Sequence, residues 1–79
     1  MSNINEKVVI GKRQICRGIK DGVIQEIVIA SDAEQEYIKS LIVVAKQNNI
    51  KYTIQGKMQD ISLRYGIDVP SGSVGVLKG

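Results

Sequence analysis

The sequence predicts an α/β domain with helices on both faces of a sheet. Four short segments are apolar or alternate between apolar and polar residues, as strands do, at 8–10, 26–30, 50–54 and 73–77. Three segments with apolar residues at helical spacing separate them, at 12–21, 33–47 and 57–65. This alternation is typical of an α/β domain, and 79 residues predict one domain, 1–79.

The first strand and the first helix meet at a glycine. Val8–Ile10 is a short apolar run, typical of a buried strand, and Gly11 ends it. The helix predicted at Lys12–Asp21 contains Gly18, which costs about 1 kcal/mol relative to alanine, and we attribute it to close packing against a neighbour. Gly22 has the position of a left-handed residue that ends a helix.

The second strand and the second helix are joined by a polar turn. Glu26–Ala30 has an unbroken β-branched centre, which suits a strand covered on both faces. The helix predicted at Ala33–Gln47 carries an apolar stripe formed by Tyr37, Ile38, Leu41, Ile42 and Ala45. Two pairs before it have the spacing of a capping box, Ser31 with Glu34 and Asp32 with Gln35.

The third helix, predicted at Lys57–Tyr65, follows the half-buried strand at 50–54 and ends at Gly66. Its inward side chains are Met58, Ile61 and Tyr65. A loop marked by Pro70 then leads to the last strand, Ser73–Leu77.

The composition limits the classes of function. The net charge of +3 and the pI of about 9.2 lie in the range of small nucleic-acid binders, a weak signal by itself. Without histidine, the chain lacks the commonest general base and metal ligand. Its one cysteine, Cys16, allows no intramolecular disulfide, and no apolar run approaches the length of a membrane span. We therefore expect a cytoplasmic protein without metal, cofactor or membrane contact.

Glycine motifs for nucleotide binding do not match. With Gly18 as the second glycine of G-x-x-x-x-G-K-[ST], Arg13 stands at the first glycine and Ile19 at the lysine. Gly72 precedes a predicted strand and Gly75 lies inside it, so neither glycine opens a helix as the dinucleotide-binding motif requires.

The reactive side chains form no catalytic constellation. Cys16 lies near Arg13 and Arg17, but without histidine and in an apolar helical neighbourhood it is predicted to be a buried structural cysteine. Asp60 and Asp68 are separated by a helix end and part of a loop, and Asp60 is predicted to be a solvated helix residue. The sequence therefore does not predict an enzyme.

One cluster of polar residues remains, at the start of the first helix: Gly11, Lys12, Arg13, Gln14 and Arg17. Cations at a helix N-terminus oppose the helix dipole, and a solvated basic face is one interpretation. Two features favour an anion site instead. Gly11 lets another backbone approach closely, and a helix that starts directly after a strand points its free N–H groups out of the sheet edge. The Gln14 amide can bond a base edge.

Three segments together resemble one known family. The family motif is Gly, a small or polar residue, Asn or Lys, Glu or Gln, two residues, then Lys, and GKRQICR at 11–17 offers arginine at the third and last positions. IASD at 29–32 matches a strand end of Ile-Ala, a variable residue and Asp, and GIDVPSG at 66–72 matches Gly-Ile-Glu-Val-Pro followed by small residues. In this order and spacing, across about residues 8–77, the chain resembles the ribosomal proteins of the L-seven-Ae and L-thirty-e family, above all its short bacterial members, which bind kink-turns in RNA.

The resemblance implies a three-layer α/β/α sandwich around a small mixed four-stranded sheet, and a non-catalytic, monomeric binder of kink-turn RNA, ribosomal, riboswitch or other. It implies that Gly11 lets the RNA backbone lie against the helix start. Arg13 and Gln14 would reach the guanine edges of sheared G·A pairs, while Lys12 and Arg17 would contact phosphate or guanine.

The resemblance also implies a second wall of the site. Asp32, in the IASD segment, is expected to be a site residue. The loop formed by Ile67, Asp68, Val69, Pro70 and Ser71 would pack against a nucleotide extruded from the bulge.

Departures from the family pattern fall on the same cluster. The archaeal and eukaryotic motif has Asn and Glu at the positions of Arg13 and Gln14, and Arg has no acceptor, so the same hydrogen bonds cannot form. Bacterial members have Lys and Gln there. Lys12 replaces a small residue and either crowds the RNA or adds a phosphate contact. Only residues 1–7 precede the first strand, so the family's N-terminal helix is nearly missing and one sheet face is expected to be less covered.

Two further hypotheses stay open at this point. The same fold can serve as a protein-interaction module whose basic helix faces an acidic protein surface. It can also be an accessory domain beside an RNA methyltransferase, although Met1 and the short tail to Gly79 favour a complete protein.

Overall fold

Strands and helices alternate along the chain, as the sequence predicts. The computed structural model describes residues 8–66 and 72–78. Its strands are β1 (Val8–Ile10), β2 (Ile24–Ile29), β3 (Lys51–Ile54) and β4 (Ser73–Leu77). Its helices are α1 (Lys12–Lys20), α2 (Gln35–Gln47) and α3 (Met58–Tyr65). The predicted order of elements is confirmed, and the largest shifts at their ends are two residues, at the starts of β2 and α2.

The four strands form one mixed sheet in the order β1-β4-β2-β3. The last strand, β4, lies between β1 and β2 and is antiparallel to both, whereas β2 and β3 are parallel. Gly75 is the partner of Val9 on one side and of Ile27 on the other. The ladder between β2 and β4 is irregular between Ile24 and Glu26. The mixed four-stranded sheet is confirmed.

Helices cover both faces of the sheet. On the face of α1 and α2, the buried side chains are Ile15, Ile24, Ile27, Ile29, Leu41 and Ala45. On the face of α3, they are Val28, Ala30, Ile61, Val74 and Val76. The strand side chains alternate between these two clusters because successive residues of a strand point to opposite faces. The three-layer α/β/α arrangement is therefore confirmed, while the expectation about residues 1–7 lies outside the described residues.

Two predicted roles of glycine are confirmed. A Cβ atom at Gly18 would lie 2.6 Å from Cδ1 and 2.8 Å from Cγ1 of Ile24, so the absence of a side chain lets α1 pack closely on β2. Gly22, after the end of α1, has φ 74°, and Gly66, after α3, has φ 66°. Both are in the left-handed region that glycine adopts without steric cost.

The predicted capping box before α2 is wrong. The helix starts at Gln35, two residues later than predicted, and its N-cap residue, Glu34, makes no side-chain cap hydrogen bond. Ser31 Oγ instead donates to the Gly56 carbonyl oxygen at 2.7 Å. Asp32 Oδ1 accepts the Met58 N–H at 3.0 Å and so caps α3. Both side chains tie the turn after β2 to the segment between β3 and α3.

Candidate nucleic-acid interface

The start of α1 lies at the edge of the sheet and is fixed by Gly11. This residue has φ 88°, a conformation that side-chain-bearing residues rarely adopt. Its N–H donates to the Ser73 carbonyl oxygen at 3.1 Å, which ties the turn to β4. No described atom, near chain neighbours aside, lies within 4 Å of the position that a Cβ atom would occupy, so the space beside Gly11 is open to a ligand.

The partial positive charge at the N-terminus of α1 is not neutralised by an acidic residue in its first turn. That turn contains no Asp or Glu, and the N-cap residue, Gly11, has no side chain that could accept a hydrogen bond. Asp32 and Asp60, by contrast, accept the Met58 and Lys57 N–H groups at the start of α3, at 3.0 and 3.4 Å. The partial positive charge of α1 therefore remains available to an anion.

The amides of the first turn differ in whether they have an acceptor. The Lys12 N–H donates to the Tyr37 hydroxyl at 3.2 Å. The Arg13 and Gln14 N–H groups bond no acceptor within residues 8–66 and 72–78. A bound anion would therefore meet two adjacent free amides.

The polar side chains at the start of α1 are also available to a ligand. Arg13, Gln14 and Arg17 are exposed, and Lys12 is half-buried. In the described part of the chain, these four side chains make no hydrogen bond and no ion pair. Lys20, one turn beyond Arg17, is exposed as well. A single short helix thus presents several cations that form no ion pair within the described residues.

Tyr37 organises this region, although the sequence placed it only in the apolar stripe of α2. Its hydroxyl accepts the Lys12 N–H and bonds Ser73 Oγ at 2.6 Å. Its ring lies against Gly72, where a Cβ atom would be 3.0 Å from Cε2. The sequence feature that could have revealed this role is the hydroxyl itself, because a partly buried tyrosine hydroxyl usually has a hydrogen-bond partner.

An open pocket of about 460 Å³ lies beside Tyr37. Its lining residues are Asp32, Ala33, Glu34, Tyr37, Met58 and Gly72. Gly72 directly follows residues 67–71 in the chain, and Tyr37 links the pocket to the start of α1 through Lys12. The pocket combines an aromatic ring and a thioether with two carboxylates, and Glu34 was not predicted as a site residue.

The structure separates the predicted site residues into three groups. Gly11, Lys12, Arg13, Gln14 and Arg17 lie together at the start of α1, as expected. Asp32 lines the pocket, but its carboxylate is engaged with the Met58 N–H, so an RNA contact of Asp32 stays a prediction. Ile67, Asp68, Val69, Pro70 and Ser71 lie outside the described residues.

Of the side chains weighed for catalysis, Cys16 lies on α1 and Asp60 on α3, which pack on opposite faces of the sheet, and Asp68 lies outside the described residues. Cys16 is partly exposed, so the prediction of a buried cysteine is wrong: the inward positions of α1 are those of Ile15 and Gly18. Asp60 is exposed, as predicted, and its carboxylate accepts the Lys57 N–H. Within the described ranges, no group of three or more acidic or cysteine side chains could hold a metal ion.

Comparison with known proteins gives the family. The pattern of the Ribosomal protein L7Ae/L30e/S12e/Gadd45 family matches residues 1–78. The chain belongs to this family. Members of similar length include an RNA-binding protein of Geobacillus thermodenitrificans and the RNA-binding protein YbxF of Geobacillus stearothermophilus, each 29% identical over 72 residues, or 91% of this chain and 88% of the relative. The resemblance inferred from the three sequence segments is thereby confirmed.

Solved structures share the family fold. A Bacillus halodurans protein of unknown function superposes with a TM-score of 0.84 at 19% identity, over 91% of this chain and 72% of the other. The Giardia lamblia 15.5kD RNA binding protein superposes with a TM-score of 0.82 at 18% identity, over 91% and 61%. None of the helices in the described part of this family member is long and apolar enough to cross a membrane.

Proposed function

We propose that this protein is a non-catalytic RNA-binding protein that recognises kink-turn RNA. The observation that carries the proposal is the start of α1, where two free amides, exposed cations and an open glycine turn meet without an acidic residue. Phosphate is the ligand that such a helix N-terminus favours. Family membership and the names of the two Geobacillus relatives support RNA as its source.

The side chains at the helix start divide into two roles. Arg13 and Gln14 are adjacent and exposed, and they read the base edges of the sheared G·A pairs. Lys12 and Arg17 flank them and contact phosphate. Gly11 lets the RNA backbone come close, because the space beside it is open.

The pocket beside Tyr37 receives the nucleotide that a kink-turn extrudes. The extruded base stacks on or packs against the Tyr37 ring and the Met58 side chain, which supply apolar surface. The segment 67–71 packs against the same nucleotide. A base held here and phosphates held at α1 together define a bent RNA and not a straight duplex.

Alanine substitutions at the base-reading positions test the proposal. We expect Arg13→Ala and Gln14→Ala each to weaken kink-turn binding by about 1–3 kcal/mol and to remove the preference for a kink-turn over a plain duplex. Gel-shift titrations of both RNAs in the same salt measure this preference. Lys46→Ala is the matched control for Arg13→Ala, because it removes one exposed cation from the far end of α2.

The wild-type protein supplies the decisive comparison. Equal wild-type affinity for the kink-turn and the duplex would contradict the proposal. So would an unchanged preference in the Arg13→Ala and Gln14→Ala variants. Sequencing the RNA that copurifies with the protein then identifies which kink-turn it binds.

A further inference from the structure

We infer that Tyr37 is a positioning residue, whose hydroxyl holds the start of α1 in the geometry that RNA meets. The inference rests on the proposed function, in which the Tyr37 ring alone has a role, and it adds a separate role for the hydroxyl. Tyr37 lies on α2, 25 positions along the chain from Lys12. It therefore acts on the helix start from a separate element.

One phenolic oxygen joins three elements. It accepts the Lys12 N–H of α1 at 3.2 Å and bonds Ser73 Oγ of β4 at 2.6 Å. A phenolic hydroxyl has one donor proton and can also accept, so it satisfies both partners at the same time. Ser73 is fully buried, which gives the bond a fixed anchor in the sheet.

The ring is held as well as the hydroxyl. Gly72 packs against it so closely that a Cβ atom would be 3.0 Å from Cε2. Ser73, the next residue, also accepts the Gly11 N–H through its carbonyl oxygen at 3.1 Å. Gly11 and Lys12 are therefore both tied, directly or through Tyr37, to the first residue of β4.

These bonds decide which amides face the RNA. The Lys12 N–H is used inside the protein, so Arg13 and Gln14 present the free N–H groups. A helix start fixed before binding loses less conformational entropy when RNA binds than a frayed one. Loss of the hydroxyl would leave the Gly11 N–H bond to Ser73 but remove the bond that holds the Lys12 N–H, so the first turn would fray more readily.

Tyr37→Phe removes the hydroxyl and keeps the ring. Ser73→Ala is the second variant and removes the other side of the same bond. Tyr52→Phe is the matched control, because Tyr52 is also half-buried and its hydroxyl bonds no other residue of the described chain. All three variants lose one hydroxyl and no charge.

The first measurement is amide hydrogen exchange in the free protein. We expect the Lys12 amide to exchange about three- to tenfold faster in Tyr37→Phe, the loss of one typical hydrogen bond. The Met58 amide, held by Asp32, should keep its wild-type rate. A general loss of stability would accelerate both amides, so the pair separates local release from unfolding.

The second measurement is binding to a kink-turn RNA and to a plain duplex in the same salt. We expect Tyr37→Phe and Ser73→Ala to weaken kink-turn binding about three- to tenfold and to leave duplex binding unchanged. Tyr52→Phe should change neither affinity.

Two results would overturn the inference. One is a wild-type exchange rate of the Lys12 amide in Tyr37→Phe; the other is wild-type kink-turn affinity in that variant despite faster exchange. If the wild-type protein itself does not prefer the kink-turn, the proposed function fails, and the Lys12 exchange rate then decides whether the hydroxyl holds the helix start.

Discussion

Gly18 sets the distance between α1 and the sheet. It is buried within the helix, and the position of a missing Cβ atom lies 2.6 Å from Cδ1 of Ile24, a side chain that is itself only 3% exposed. Ile24 belongs to the buried cluster under α1, so an added Cβ atom would force its side chain to shift within the core. This explains why α1 contains a residue that weakens isolated helices.

Gly18→Ala tests this close packing. Alanine favours the helix by about 1 kcal/mol, but crowding a packed core costs about 1–3 kcal/mol, so we expect a net loss of about 1 kcal/mol in the free energy of unfolding. Urea denaturation measures it. Ile24→Val removes the nearest methyl group, Cδ1, and should cost less in the Gly18→Ala background than in the wild type. A Gly18→Ala variant more stable than the wild type would contradict the packing argument.

Single residues differ in how far the sequence predicts them. The roles of Gly11 and Gly18 were predictable from their positions. A glycine directly before a helix allows close approach, and a glycine inside a helix usually has a packing reason. The hydrogen bonds of Tyr37 and Asp32 were not predictable, since they span 25, 36 and 26 positions and depend on the packing of distant elements. Short-range spacing predicted a capping box for Asp32 at the wrong helix.

The start of α3 depends on the turn after β2, which is separated from α3 in the chain by α2 and β3. Asp32 follows β2, and its Oδ1 accepts the Met58 N–H of α3 at 3.0 Å. The neighbouring Ser31 hydroxyl bonds Gly56 at 2.7 Å, and the Ser31 N–H bonds the same carbonyl oxygen at 2.8 Å. The turn after β2 thus fixes the entry of α3 and, through it, the Met58 wall of the pocket.

Asp32→Ala removes the cap of α3. We expect a loss of about 0.5–2 kcal/mol in the free energy of unfolding, the range for deleting a side chain that accepts an N–H group in the first turn of a helix. The Met58 amide should also exchange faster. Glu34→Ala is the control, because it removes an exposed carboxylate two residues away that makes no cap bond. Equal effects of the two substitutions would show that charge, and not capping, stabilises α3.

The boundaries and order of the elements were largely predictable. Each helix buries one face, and the side chains of each strand alternate between the two faces of the sheet, so both leave a periodic apolar pattern in the sequence. The pairing of the strands was not predictable, because partners in the sheet are far apart in the sequence. From residues alone the sequence predicted only a sheet with helices on both faces; the resemblance supplied its mixed character, and the position of β4 between β1 and β2 came from the structure.

The distribution of charge predicts a moderate salt dependence of RNA binding. The net charge is +3, and α1 alone carries Lys12, Arg13, Arg17 and Lys20. With about three or four phosphate contacts, the logarithm of affinity should fall with the logarithm of salt concentration at a slope of about −2 to −4. Fluorescence anisotropy titrations across a salt series measure this slope.

Substitutions on α1 and at the end of α2 show which cations contribute to the slope. Arg17→Ala should make it shallower by about one, and Lys46→Ala should leave it unchanged. A slope near zero in the wild type would mean that phosphate contributes little to binding.

The central position of β4 has a consequence for synthesis. In the described part of the chain, β1 pairs only with β4, which is made last of all the strands. The nascent chain must therefore keep β1 unpaired until Ser73–Leu77 has left the ribosome. The hydrogen bonds of Gly11 and of the Tyr37 hydroxyl also require this strand, because both are made to Ser73. The proposed RNA site at this helix start therefore takes its final geometry only when β4 is in place.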